Sequence, residues 1–176
     1  MTTSVTSVQN DGVSVKSSST DPLFHIALIH PEIPQNTGNI GRLSLGVGAR
    51  LHLVKPLGFD ITAKAVRRAG LDYWKDVDLQ IHESIDDFLK WTEGKECHLF
   101  STKSTTSFSQ TEVKQGTVII FGAETKGVTS DIHRLFPSVQ IPMFQRIRSY
   151  NLSNSVAIAS YFVAQQLNPS WMSPKT

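Results

Sequence analysis

Cysteine is nearly missing from the chain: Cys97 is the single one in 176 residues. An internal disulfide framework and any multi-cysteine zinc or iron–sulfur site are therefore excluded. Long apolar runs are missing too, and no stretch approaches the roughly 20 residues that a membrane-spanning helix needs. Net charge is small, with 17 Lys and Arg against 15 Asp and Glu leaving +2 and a pI near 8.7. A nucleic-acid partner is allowed by this balance but has to be argued from local clusters. The six histidines show no H-E-x-x-H spacing, and there is no G-x-S-x-G nucleophile elbow. The apolar set is 39% of the residues, enough for one core in a chain of this length.

Large apolar side chains are almost absent from residues 1–20, where ten positions are Ser or Thr. Such a segment cannot bury enough surface to offset its ordering entropy. It lacks the apolar centre of a secretory signal, and its one base, Lys16, is too few for an Arg-rich transit peptide. The expected organisation is a disordered extension over 1–22, one domain over 23–168 and a short tail over 169–176.

Within that domain strands and helices alternate. Strands are expected at 24–29, 50–54, 77–81, 97–101, 117–121 and 139–141. Helices are expected at 37–46, 61–69, 86–91 (capped by Ser84), 129–135 and 152–167, the last apolar on nearly every side. This alternation predicts an α/β fold with a mostly parallel sheet flanked by helices. Ligands of such sheets sit at the carboxyl ends of the strands, which directs attention to three loops.

The first runs from Pro31 to Arg42, where two prolines stiffen the entry to a helix. Asn36 or Thr37 is suited to cap that helix. Asn36 and Arg42, six apart, are expected to turn toward one pocket, where the Arg42 fork suits a phosphate; a capped helix with a surface arginine is the plainer alternative. The second is Phe121-Gly122-Ala123-Glu124-Thr125-Lys126-Gly127, either a tight turn or a close approach of backbone to ligand. It is no Walker A loop, because Val128 and Thr129 stand where Lys and Ser/Thr are required, and Gly46-Val47-Gly48 fails as a dinucleotide fingerprint. The third runs from Ile141-Pro142-Met143 through Arg148-Ser149-Tyr150-Asn151-Leu152-Ser153-Asn154-Ser155. Capping needs one polar residue, and this stretch supplies five. Cys97 reads as inert packing in a strand.

Taken in order, these three segments resemble the SPOUT class of RNA methyltransferases, and more narrowly its TrmL-type tRNA 2'-O-methyltransferases. Pro56-Leu57-Gly58-Phe59 and Arg67-Arg68-Ala69-Gly70-Leu71-Asp72-Tyr73-Trp74 also resemble that family, and the similarity covers about residues 24–167. The resemblance implies a C-terminal deep trefoil knot, a homodimer, and S-adenosylmethionine bound in the knot with S-adenosylhomocysteine as product. It implies methylation of the ribose 2'-hydroxyl at position 34, a cytidine or uridine, with leucine tRNAs as typical substrates bound through the anticodon stem-loop. A cytoplasmic enzyme with neither metal nor membrane attachment follows from the same likeness. Phe100, Gly122, Ile141, Tyr150 and Ser155 match cofactor-pocket positions, with Met143 and Leu152 beside them. Asn36, Arg42, Glu124, Ser149 and Asn151 match positions of catalysis or its support. Tyr150 departs from the usual Met or Leu.

Arg42 is a poor general base, since a guanidinium titrates above roughly pH 12. It is expected to orient the ribose and its phosphate. Arg67, Arg68, Lys126, Arg146 and Arg148 are expected to track an RNA backbone, with Tyr73 or Trp74 stacking on a flipped base. The alternatives are a 2'-O-methyltransferase acting on rRNA or another tRNA position, and a non-catalytic RNA-binding module of the same fold.

Overall fold

The computed structural model describes residues 21–62, 72–144 and 147–172. The expected extension up to residue 20, the helix over 61–69 beyond Thr62, and Arg67, Arg68 and Arg146 lie outside the described residues. Six strands of the described residues form one parallel sheet: β1 (Phe24–Ile29), β2 (Ala49–Val54), β3 (Leu79–His82), β4 (Cys97–Phe100), β5 (Val118–Phe121) and β6 (Ser138–Val139). Their order across the sheet is β3-β2-β1-β5-β4-β6. The predicted strands fall in place with shifts at their ends. The largest are at β3, where Val77 and Asp78 precede the ladder, and at β6, where Gln140 and Ile141 follow it.

Among the described residues four helices cover the sheet: α1 (Pro34–Val47), α2 (Ile85–Thr92), α3 (Ser130–Leu135) and α4 (Leu152–Leu167). β1 is buried along its whole length, as a central parallel strand covered on both faces must be. Ile26 and Leu28 join one core with Ile40 of α1 and Val156, Ala159 and Val163 of α4. Ala27 and Ile29 join a second core with Phe88 of α2 and Ile132 of α3. The alternation follows from the two-residue period of a strand.

α2 starts as the sequence predicts: the Asp87 backbone N–H donates to Ser84 Oγ at 3.1 Å. Ser84→Ala should cost about 1 kcal/mol, read as a lower urea midpoint at unchanged slope.

The start of α1 differs from expectation. Its cap position is Ile33, no side chain of its own segment caps it, and Pro34 opens the first turn. Proline is suited there because its missing N–H would have no intrahelical partner. Asn36 and Thr37 are therefore inside the helix and buried.

Every β-strand carboxyl end named so far points to the same edge. The connection after β4 also meets the chain leaving β6. Phe108 N–H donates to Gln140 O at 2.9 Å, and Gln140 N–H donates to Thr106 O at 2.8 Å. Gln166 of α4 reaches the same connection, accepting from Val113 N–H and donating to Thr111 O. No helix among the described residues is long and apolar enough to cross a membrane.

Candidate active site

A hollow of about 540 Å³ opens at the carboxyl edge, walled by the loops that follow β4, β5 and β6. Phe100, Gly122, Ile141 and Met143 border it, as do Tyr150, Leu152 and Ser155. Asn36, Glu124, Ser149 and Asn151 stand on the same wall, together with Lys126 and Arg148. The three distant segments thus converge on one space.

Hydrogen bonds tie them together. Glu124 accepts from the backbone N–H of Glu32 at 2.8 Å, from that of Ile33 at 3.3 Å and from Asn36 Nδ2 at 3.0 Å. Asn36 Oδ1 accepts from Asn151 Nδ2 at 3.0 Å. Asn151 Oδ1 in turn caps α4, accepting from Ser153 N–H at 2.9 Å and Asn154 N–H at 3.4 Å. An ionised carboxylate only accepts, so Glu124 obliges Asn36 to present its amide nitrogen. The Asn36 oxygen then faces Asn151, and the Asn151 oxygen faces the helix. One charge sets the polarity of the whole chain. Glu124 also supplies what α1 lacks, a negative acceptor at a helix N-terminus reached from 91 residues away.

Gly122 allows this turn to close. A Cβ there would lie 2.4 Å from the carbonyl carbon of Gly127, well inside contact distance. Ala123 and Gly127 exchange backbone hydrogen bonds at 3.2 and 2.9 Å.

Arg42 stands apart. It does not border the hollow; its guanidinium lies over the Tyr73 ring, 4.6 Å from the centroid. The expectation that Asn36 and Arg42 face one pocket of the same chain is corrected by helical geometry. Six residues turn an α-helix by about 600°, which leaves the two side chains about 120° apart. Trp74 is corrected as a base-stacking platform, since it is 6% exposed and part of the core. Tyr73 is half-buried beneath Arg42 and donates its hydroxyl to Gly38 O at 2.9 Å.

Sequence reasoning passed over several groups in the wall. Ser101 and His133 border the hollow, with His133 Nε2 3.1 Å from Ser101 Oγ. Lys103 adds a cation at the rim. Ser101 and Lys103 directly follow β4, and their position at a strand end was the available signal. Among the described residues no three His, Cys, Asp or Glu stand together as metal ligands. Cys97 is buried, and burial pushes its thiol up to about 11, in keeping with inert packing.

Residues 23–161 match the family described as the SpoU rRNA Methylase family. The chain belongs to that family. A tRNA (cytidine(34)-2'-O)-methyltransferase of Methylovorus glucosotrophus is 42% identical over 142 residues, which are 79% of this chain and 92% of that protein. The enzyme of the same name from Saccharophagus degradans is 40% identical, over 82% of this chain and 96% of its own length. A structure solved to explain the 2-OH methylation of C/U34 on tRNA superposes with a TM-score of 0.79 at 37% identity, covering 85% of this chain and 99% of that one. The SpoU methyltransferase AviRb of Streptomyces viridochromogenes, solved with AdoMet, has a TM-score of 0.74 at 20% identity, over 90% of this chain and 62% of its own. At that identity the likeness is one of fold. These relatives agree with the sequence in placing the chain among SPOUT-type methyltransferases with a parallel α/β sheet.

Proposed function

We propose that this protein transfers a methyl group from S-adenosylmethionine to the ribose 2'-hydroxyl of the nucleotide at position 34 of tRNA. The observation that carries this reading is the chain Asn151–Asn36–Glu124, which joins all three motif segments at the mouth of a hollow.

The hollow fits the cofactor. Its volume is within the range of about 300–1,000 Å³ usual for such sites. Phe100, Ile141, Met143 and Leu152 offer apolar surface to an adenosine and a thioether, and Gly122 offers close backbone. Tyr150 and Ser155 complete that wall. Bound there, the cofactor supplies an electrophilic methyl on a sulfonium. At the mouth the Glu124 oxygens hold the start of α1 in place. Ser149 and Asn151 present polar groups at the entrance to α4, suited to a ribose. Lys126 and Arg148 at the rim are suited to phosphates of an anticodon stem-loop, so binding should weaken steeply with added salt.

Arg42 acts in this reading on the hollow of a second copy. α1 and α4, which pack side by side, both leave large apolar side chains at the surface: Leu45, Ile158 and Tyr161 are 40, 39 and 45% exposed. A homodimer through this face would cover them and carry Arg42 toward the partner. There Arg42 orients the ribose and its phosphate and stabilises the developing alkoxide. Co-expressed Arg42→Ala and Asn151→Ala chains should then regain about a quarter of wild-type activity, because half the dimers are mixed and each mixed dimer keeps one intact site. No recovery would place Arg42 in its own chain's chemistry. The trefoil knot belongs to the same proposal, supported by the contacts of the β4–β5 connection with Gln140 and Gln166. Leucine tRNAs as substrates and a cytoplasmic location complete it.

The deciding experiment is methylation of tRNA transcripts with labelled cofactor, followed by mapping of the modified nucleotide. Label at the 2'-oxygen of nucleotide 34 is expected. Label elsewhere would favour the rRNA or other-position reading, and absence of cofactor binding would favour a non-catalytic module.

A further inference from the structure

Glu32 carries a carboxylate as well as the backbone N–H that meets Glu124. Its carboxylate accepts from Thr125 Oγ1 at 2.7 Å and from Thr125 N–H at 2.9 Å. Its own backbone N–H donates to Glu124 at 2.8 Å. Two neighbouring carboxylates are thereby exchanged across about 90 residues of sequence: each belongs to one segment and is satisfied by backbone of the other.

The Glu32 backbone is itself fixed from behind. Gly58 N–H donates to Pro31 O at 2.9 Å, and a Cβ on Gly58 would lie 2.8 Å from both Glu32 Cα and Glu32 O. Glycine is therefore required for the turn after β2 to lie against this residue. Thr125 occupies the middle of the closed turn between Ala123 and Gly127. A two-point hold there restrains the orientation of the adjacent Glu124 and the position of Gly122. The Thr125 bonds, first the hydroxyl and then the backbone, hold the Glu32 carboxyl below its ordinary range, so the accepting, ionised form persists further into acid than that of a free carboxyl.

We infer that Glu32 is a positioning residue: through Thr125 it pre-shapes the Gly122–Gly127 turn for the cofactor, so that the turn's ordering does not have to be met by binding energy. The inference rests on the reading of the hollow as a cofactor site.

Calorimetric titration with S-adenosylhomocysteine tests it, on the wild type, Glu32→Gln, Thr125→Val, Thr125→Ser and the Glu32→Gln/Thr125→Val double variant, with the melting temperature of each. Gln keeps the shape but meets Thr125 with one oxygen in place of two. Val removes the hydroxyl that Ser retains. Glu32→Gln should weaken binding at least fivefold, about 1 kcal/mol. Thr125→Val should weaken it about threefold, Thr125→Ser should match the wild type, and the double variant should be no weaker than Glu32→Gln alone. A Glu32→Gln affinity within twofold of wild type, or a double variant whose loss is the product of the two, would overturn the inference. Should Glu32→Gln fail to fold, the contrast between Thr125→Val and Thr125→Ser decides alone: equal affinities reject the latch. If the wild type itself does not bind, the cofactor reading falls and takes this inference with it. Binding that is unchanged in the variants rejects the latch and leaves the cofactor reading standing.

Discussion

Replacing Glu124 with Gln should lower kcat/KM for tRNA methylation by about 100-fold, the scale on which a small misplacement of reacting groups acts. The side chain keeps its volume but changes its polarity. In the native protein three donors converge on the carboxylate: two backbone N–H groups and the Asn36 amide. Gln brings one oxygen and two further donors to that place. Either an N–H loses its acceptor, or Asn36 reverses and turns its nitrogen toward Asn151. Reversal would confront the Asn151 amide with another donor, and Asn151 can answer only by giving up its cap on α4. The disturbance therefore reaches both sides of the hollow from one atom pair. Steady-state kinetics with a thermal melt on the same preparation checks this. A rate within fivefold of wild type would show that the polarity of the chain is immaterial to turnover.

Acid should unfold this protein earlier than its carboxylates alone require. Three histidines of adjacent strands form a buried row: His25 Nδ1 is 2.9 Å from His52 Nε2, and His52 Nδ1 is 3.0 Å from His82 Nε2. Trp91 of α2 covers all three rings. Each contact needs one hydrogen, so the row is satisfied with neutral rings that point their N–H groups the same way. Burial first, then nearby Arg50 and Lys95, bring the His25 pKa from 6.5 down to about 4 against the opposing pull of Asp78 and Asp21. Burial and then the neighbouring rings push His52 well down, and burial lowers His82 against Asp87. Folded-state values below the unfolded ones mean that the unfolded chain binds more protons in acid. This contribution to stability is complete above about pH 6.5 and is lost as pH falls toward 4. For His25 alone the loss amounts to about 3 kcal/mol at the acid end. Urea midpoints between pH 7.5 and 4.5 should fall steeply in the wild type. In His25→Gln they should fall less, because the amide does not titrate. Parallel pH curves for the two proteins would remove the histidine row as the cause.

The two cases differ in how far the sequence foretold them. The residues around the hollow stood out because Ser149, Asn151, Ser153, Asn154 and Ser155 exceed what one helix cap uses, and because a turn bounded by Gly122 and Gly127 follows a strand. The histidine row gave no such signal. His25, His52 and His82 are 27 and 30 residues apart, on three strands whose register sets each diagonally from the next, with His25 opposite Arg50 and His52 opposite Gln80. The start of α1 departs from its sequence pattern for a related reason. Asn36 and Thr37 have the chemistry of caps, but the acceptor that serves this helix comes from Glu124 on another strand's loop.

The order of the elements, the mostly parallel sheet and the identity of the three loops are legible along the chain, because hydrophobic period and turn chemistry are properties of neighbouring residues. Which side chains meet is settled by the folding of the elements onto one another. It joined Glu124 to Asn36 and Asn151, set Glu32 against Thr125, turned Arg42 away from the hollow of its own chain and drew Trp74 into the core. The physical reason is that hydrogen bonds and packing act over a few ångströms in space, whereas sequence patterns reach only a few residues along the chain.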